Sequence, residues 1–430
     1  MNKLRKHLCM ESLLQIVRES FNKIKQPTNG EISIQSCLMS ALAIFNFKYP
    51  SLLQFDKEKA TARLRKNLAQ LYKVNHVPCD TYMRERLDVL EPMMLRCAYR
   101  KIFAKLQRGK ILEAYTYFDG HYLLSIDGTG QYGSEKIHCD NCCEKHHKDG
   151  HISYYHQLLG AVIVHPDNKA VIPMAPEPIV KTDGNNKNDC ERNAAKRLLP
   201  QIRREHPHLK LIVIEDSLAS NGPHIKLIRS LNMKFILGVK PKDHAYLFDW
   251  VAHANCQELS ETAIDGTIRH YKFLNNVALN DTHHDLLVNF LEYTEIPKKG
   301  KIKHFSWVTD IFLTIENVCQ IMKGGRARWK IENETFNTLK NQGYNFERNY
   351  GHGNKNLCSI FSMLMMLAFL IDEAQKLCCS FFKRARSRAY TNKQLWTEML
   401  LLCKYFIFDS WQSLYVAIAN AGHEQILNSS

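Results

Sequence analysis

The sequence predicts an α/β layer fold: a mixed sheet with flanking helices, with helical regions towards both ends of the chain. Three observations predict it. Between about residues 118 and 240, short apolar runs alternate with amphipathic helical stretches. Two of those runs, YLLSIDG and LKLIVIEDS, finish on acids, Asp127 and Asp216. Outside that span, apolar residues mostly recur at helical rather than alternating spacing.

The 430 residues are enough for roughly two to three domains. Residues 1 to about 115 read as basic helices: ESLLQIVRESFNKIK, QSCLMSALAIF, TARLRKNLAQLY and the long stretch that begins TYMRERLDVLEP. Pro78 interrupts the pattern, and Asp80 is expected to cap the helix that follows. A helical domain of this kind can present a helix to a DNA groove, or simply carry a solvated basic face. Next come YLLSIDG, YYHQLLGAVIVHP and KAVIPMAPEPIV, strand-like runs, with the turn Pro166-Asp167-Asn168 between the last two. NDCERNAAKRLLPQIRREH is a helix, with Asn188 and Glu191 spaced for a capping box. LKLIVIEDS, GPHIKLIRSLN and MKFILGVK continue as strand, helix, strand, and about 245–312 reads as short strands and polar loops. ENVCQIMKGGRARWKIENETFNTLKNQG opens a long helical region, which Gly324-Gly325 is placed to interrupt.

Charge and cysteine narrow the function classes. Lys and Arg number 58 against 43 Asp and Glu, a formal charge of +15. That excess favours an anionic partner, nucleic acid or a membrane surface. The longest apolar run, Leu357 to Ile371, falls short of the ~20 residues that span a bilayer, so no membrane partner is expected. The 14 Cys lack the even spacing of a disulfide framework, and no apolar stretch of a secretory leader follows the basic MNKLRKHLCMES. A reducing, cytoplasmic setting is expected.

Acids at strand ends are where open α/β sheets gather their chemistry. Three carboxylates on separate elements can hold two hard cations, Mg²⁺ or Mn²⁺, in the arrangement that suits in-line phosphoryl transfer. Periodicity alone does not choose among Asp119, Asp127, Glu215, Asp216, Glu332 and Glu334.

The segments SIDGTG, IEDSLASNGPHI, FILGVKP and GRARWKIENETFNTLKNQGY resemble DDE transposases of bacterial insertion sequences, in the RNase H-like, retroviral integrase superfamily. PSLLQFD, RERLDVLEP and LQRGKILE extend the resemblance towards the N-terminus. It implies an RNase H-like mixed sheet in which Asp127, Asp216 and Glu332 are the catalytic, metal-holding acids. Family members carry a Tyr, an Arg three residues on, a Glu four further and a Lys seven further. Arg328 and Glu332 keep that spacing, one helical turn apart. Gly325 stands at the Tyr position and Leu339 at the Lys position, with Lys340 one residue late. One residue is about 100° of helix, so Lys340 is expected to point elsewhere. Glu334 is the alternative third acid.

The resemblance further implies two metal ions per site, double-stranded DNA (element ends and target) as partner, and a homodimer in the DNA complex, working in the bacterial cytoplasm at the nucleoid. It divides the chain into an end-binding helical domain at 1–115, the first part of the catalytic core at 116–240, a β-rich insertion at 241–312, the end of the core at 313–375 and a helical C-terminal region at 376–430. Alternatives are an RNase H-like nuclease without strand transfer, and a catalytically silent, zinc-bearing DNA-binding derivative. Arg326, Arg328, Lys240 and Lys340 are candidate phosphate contacts. Trp307 is a candidate platform for an extruded base, or else a core tryptophan.

One further cluster stands out. IHCDNCCEKHHKDGHISYYH has a Cys-x2-Cys with nearby His, which is zinc-like spacing. Cys139, Cys142 and His147 form the expected trio, with His151 or His156 to complete a tetrahedron. RARSR at 384–388 reads as a basic loop.

Overall fold

The computed structural model describes residues 8–26, 30–184 and 187–420. In chain order the elements are α1 (Met10–Phe21), α2 (Ile34–Asn46), α3 (Leu52–Glu58), α4 (Ala62–Tyr72), α5 (Asp80–Asp88), α6 (Arg96–Arg108), β1 (Tyr122–Ser134), β2 (Cys143–His146), β3 (Ile152–His165), β4 (Asn168–Pro173), β5 (Glu177–Ile179), α7 (Lys187–Glu205), β6 (Leu211–Glu215), α8 (Gly222–Ser230) and β7 (Lys234–Gly238). They continue with α9 (Ala245–His253), β8 (Gln257–Thr262), β9 (Ile268–Ala278), β10 (Leu287–Ile296), β11 (Lys303–Thr309), α10 (Val318–Arg326), a π-helical turn (Ile331–Phe336), α11 (Asn337–Asn341), α12 (Leu357–Cys378), α13 (Ser380–Arg388), α14 (Asn392–Tyr405) and α15 (Trp411–Ala419). Residues 1–7 and the side chain of Asn188 lie outside the described residues.

Among the described residues one sheet runs in the order β2-β3-β1-β6-β7-β11-β10-β9-β8, with β4 and β5 also paired to β3. β1, β3 and β4 form an antiparallel meander. β6 then lies parallel to β1, and β7 parallel to β6. Read from β4 to β7, this is the strand order of an RNase H-like core. Every residue of β6 is buried, which is why LIVIE reads as a continuous apolar run.

The β-rich insertion is continuous with that sheet. β11 pairs antiparallel with β7, so β8 to β11 extend the core's edge. It also contains a helix, α9, where the sequence suggested only short strands and loops.

α12 runs 22 residues, longer than its apolar stretch alone implied. By length and composition it could cross a membrane, but its apolar window is wholly buried inside the fold, packed against α2, α5, α6 and β4. The two ends of the chain meet here: α14 packs on α4, and Trp411 stacks on Phe47.

Local departures have local causes. Asp80 is the first residue of α5 rather than its cap, and its carboxylate pairs with Arg84 at 2.7 Å. RARSR is the end of helix α13.

Candidate active site

The parallel register of β1 and β6 brings two acids together. Ser125 lies opposite Ile214. Two residues further along each strand stand Asp127 and Asp216, on neighbouring strands whose spacing is about 4.8 Å. Side chains alternate, so Ser125 and Asp127 share one face of the sheet. That face is covered by the turn leading into the π-helical segment, since the Ser125 hydroxyl donates to the Arg328 carbonyl at 3.0 Å. Glu215 points to the other face. Its carboxylate meets His224 of α8 at 2.6 Å, both groups buried. Burial pushes the His224 imidazole down and the Glu215 carboxylate more than restores it. Adjacent acids thus take different tasks because strand period separates them.

Arg328 ties the acids together. Its guanidinium reaches Asp127 Oδ2 at 3.1 Å and Glu332 Oε1 at 2.7 Å, and it feels the charge of Asp216 as well. Burial pushes the Asp127 carboxyl up to about 7, Arg328 pulls against this, and the adjoining Glu332 carboxylate adds to the rise. The guanidinium thus bonds two carboxylates directly, with the Asp216 charge within its reach. All the donors are oxygens, which fits Mg²⁺ or Mn²⁺ rather than a softer metal.

Asp216 stands between two clefts. One, about 750 Å³, is shared by Asp127, Asp216, Glu191, Arg192 and Asn221. The other, about 800 Å³, is lined by Asp216, Lys240, Phe305, Trp307, Arg326, Arg328 and Trp329. Glu191 of α7 is a fourth acid at the site; its carboxylate lies against Gly128, where a Cβ would collide with it. In the sequence Glu191 reads only as a capping partner, since nothing in a helical stretch says which strand it will face.

The structure separates Glu332 from Glu334. Glu334 lines a different cavity with Lys169 and Lys376. The π-helical turn also bears on Lys340. A π turn takes in one extra residue, so residue 340 returns towards the angular position that 339 has in an unbroken α-helix, and Leu339 is buried. Lys340 nevertheless lines neither cleft; its ammonium pairs with Glu347 at 2.8 Å.

The other basic and aromatic candidates divide. Lys240 is exposed on the second cleft. Arg326 is engaged by Glu295 at 2.9 Å and lies over the Phe305 ring at 5.0 Å. Trp307 is only 5 % exposed and stacks on Phe305 at 5.8 Å, so it is a cleft wall. Trp329, unmarked in the sequence, is 43 % exposed on the same cleft. Gly325 explains why no Tyr fits at its position: a Cβ there would come 2.5 Å from the Trp307 indole nitrogen. Gly325→Ala is expected to destabilise by about 1–3 kcal/mol of overpacking, less at most ~1 kcal/mol of gained helix propensity. Thermal unfolding and tryptophan emission would both register it; an unchanged melt and spectrum would show that Trp307 yields freely.

Of the Cys/His cluster, Cys139, Cys142, His156 and His352 bring their ligand atoms within 4.8 Å of one another. His147 is not among them. It stacks on His151 at 3.9 Å and bonds the Ser153 hydroxyl at 2.7 Å, while His151 bonds Asp149. The hairpin carrying these two residues turns them away from the cysteines.

Fold and geometry together define an RNase H-like core with Asp127 on β1, Asp216 just past the end of the neighbouring β6 and Glu332 on the π-helical turn beside them. No protein-family description matches the chain, and no curated protein matches it significantly. Among solved structures it is similar to a piggyBac transposase in a synaptic complex with hairpin DNA, at 9% identity and a TM-score of 0.40, over 98% of this chain and 81% of that one. So loose an overlap adds nothing to the fold assignment, which rests on the strand order.

Proposed function

We propose that this chain is a DNA transposase of the DDE type, of the kind found in bacterial insertion sequences. The observation that carries the reading is the bridging of Asp127 and Glu332 by Arg328, with Asp216 lining the same cleft as Asp127. These acids would hold the divalent cations, which when bound supply activation of the attacking oxygen and stabilisation of the leaving oxygen. Arg328 orients two of the three acids, Asp127 and Glu332. Lys240 on the cleft rim would take backbone phosphates, and the +15 charge would draw in duplex DNA. Trp329 offers an exposed ring for an unstacked base.

The reaction proposed has two stages: water opens the phosphodiester at an element end, and the freed 3′-hydroxyl attacks target DNA. No side-chain nucleophile is required. Two copies of the chain would hold the two ends.

The test is a strand-transfer assay with duplexes carrying the element's own ends, a supercoiled target and Mg²⁺. Joined products are expected. Cutting without joining would reduce the reading to a nuclease, and binding with neither would sink it.

A further inference from the structure

We propose that Cys139, Cys142, His156 and His352 form a structural zinc site that fastens the β1–β3 hairpin to the loop before α12. The inference does not depend on the reaction proposed above.

The donor atoms already outline the coordination shell. Cys139 Sγ and Cys142 Sγ are 3.9 Å apart, and His156 Nε2 is 3.4 Å from each. His352 Nε2 lies 3.2 Å from Cys142 Sγ and 3.4 Å from His156 Nε2. A tetrahedron with Zn–S of about 2.3 Å and Zn–N of about 2.05 Å has edges of about 3.8 Å between sulfurs, 3.5 Å from sulfur to nitrogen and 3.3 Å between nitrogens. These five separations match within a few tenths of an ångström, and the sixth, Cys139 to His352, lies within 4.8 Å. Two thiolates and two imidazoles are a zinc donor set.

The surroundings serve the same end. The Cys139 amide donates to the Cys142 sulfur at 3.4 Å and holds the two cysteines on one turn. Cys142, His156 and His352 are buried, while Cys139 is half-buried and leaves a route for the ion. Four protein ligands close the shell and leave no open position, the mark of a structural rather than a catalytic site.

His352 reaches the group from 196 residues beyond His156. It stands between Gly351 (φ 112°) and Gly353 (φ 69°), left-handed positions that let the loop double back. The Asp88 carboxylate then accepts the amides of Asn354, Lys355, Asn356 and Leu357 at 2.8–3.0 Å, which secures the start of α12. Beyond the end of β6 the β1–β3 hairpin carries the short β2 and β5 along β3, and the Ser362 hydroxyl of α12 donates to Gln131 on β1. His156 pairs with Tyr132 and Gly160 with Asp127, which sets the metal roughly 13 Å along the hairpin from the acid site. Zinc would join the strand bearing Asp127 to the segment that follows the Glu332 turn.

Metal analysis of the purified full chain tests this. About one zinc per chain is expected, falling below about 0.1 in Cys142→Ser and in His352→Ala and unchanged in His147→Ala. Cobalt substitution should give the intense visible bands of a tetrahedral ion with a sulfur-to-metal charge-transfer band. His352→Cys, which replaces one ligand with another, should keep the metal and strengthen that band; this separates ligation from a purely structural histidine. Wild-type protein that takes up no zinc on titration, or Cys142→Ser and His352→Ala proteins that hold a full equivalent, would overturn the assignment.

Discussion

Asp127→Ala is expected to lower DNA strand cleavage by at least about 10³-fold, some 4 kcal/mol of transition-state stabilisation, with duplex binding retained. The side chain lies where β1 runs past the end of β6, bonded to Arg328 and pressed against Glu332. Its loss removes an oxygen donor from the cleft it shares with Asp216 but leaves the Arg328–Glu332 bridge, 2.7 Å long, intact. Backbone packing should survive, because Ser125 still anchors the Arg328 carbonyl. Asp216→Ala and Glu332→Ala should behave alike. Glu334→Ala is the internal control: its carboxylate belongs to another cavity, and activity should stay within about threefold of wild type, below 1 kcal/mol. Single-turnover cleavage in Mg²⁺, paired with gel-shift binding, reads all four. Full activity in Asp127→Ala, or equal loss in Glu334→Ala, would show that the acids are wrongly assigned.

Asp372→Ala is expected to cost about 3–5 kcal/mol of stability, the usual penalty for stranding one partner of a buried ion pair. Lys48 and Asp372 meet at 2.7 Å with side chains only 3% and 4% exposed. Burial pushes the Lys48 ammonium down, and Asp372 holds it up. The same carboxylate accepts the Tyr344 hydroxyl at 2.6 Å, and the ammonium lies over the Tyr344 and Trp396 rings. Alanine would leave a cation and a phenol unsatisfied between the N-terminal helices and α12. Because the pair itself costs much to desolvate, Lys48→Met with Asp372→Leu should lose far less than Asp372→Ala alone. Urea unfolding of the three variants decides it. A loss under about 1 kcal/mol in Asp372→Ala would mean that water reaches the site and screens it.

Much of this architecture is readable from local pattern. Apolar runs of strand length, each ending on an acid, mark β1 and β6, and Cys139-x2-Cys142 marks the cysteine pair of the proposed metal site. Spacing of four residues puts Arg328 and Glu332 on one helical face. The break between α5 and α6 at Val89–Leu95 was harder to see: the apolar spacing runs on through it, and Pro92 stands just after the end of α5.

By itself, then, the sequence determined which groups were available and which way short elements would turn them, because period and spacing act over a few residues. Only the folded chain decided their partners. That Glu332 adjoins Asp127 while Glu334 lines another cavity, that His156 and His352 rather than His147 join the cysteines, and that Trp329 rather than Trp307 is open to solvent all depend on contacts between segments tens to hundreds of residues apart. Such contacts are set by packing of the whole core, and no local periodicity encodes them.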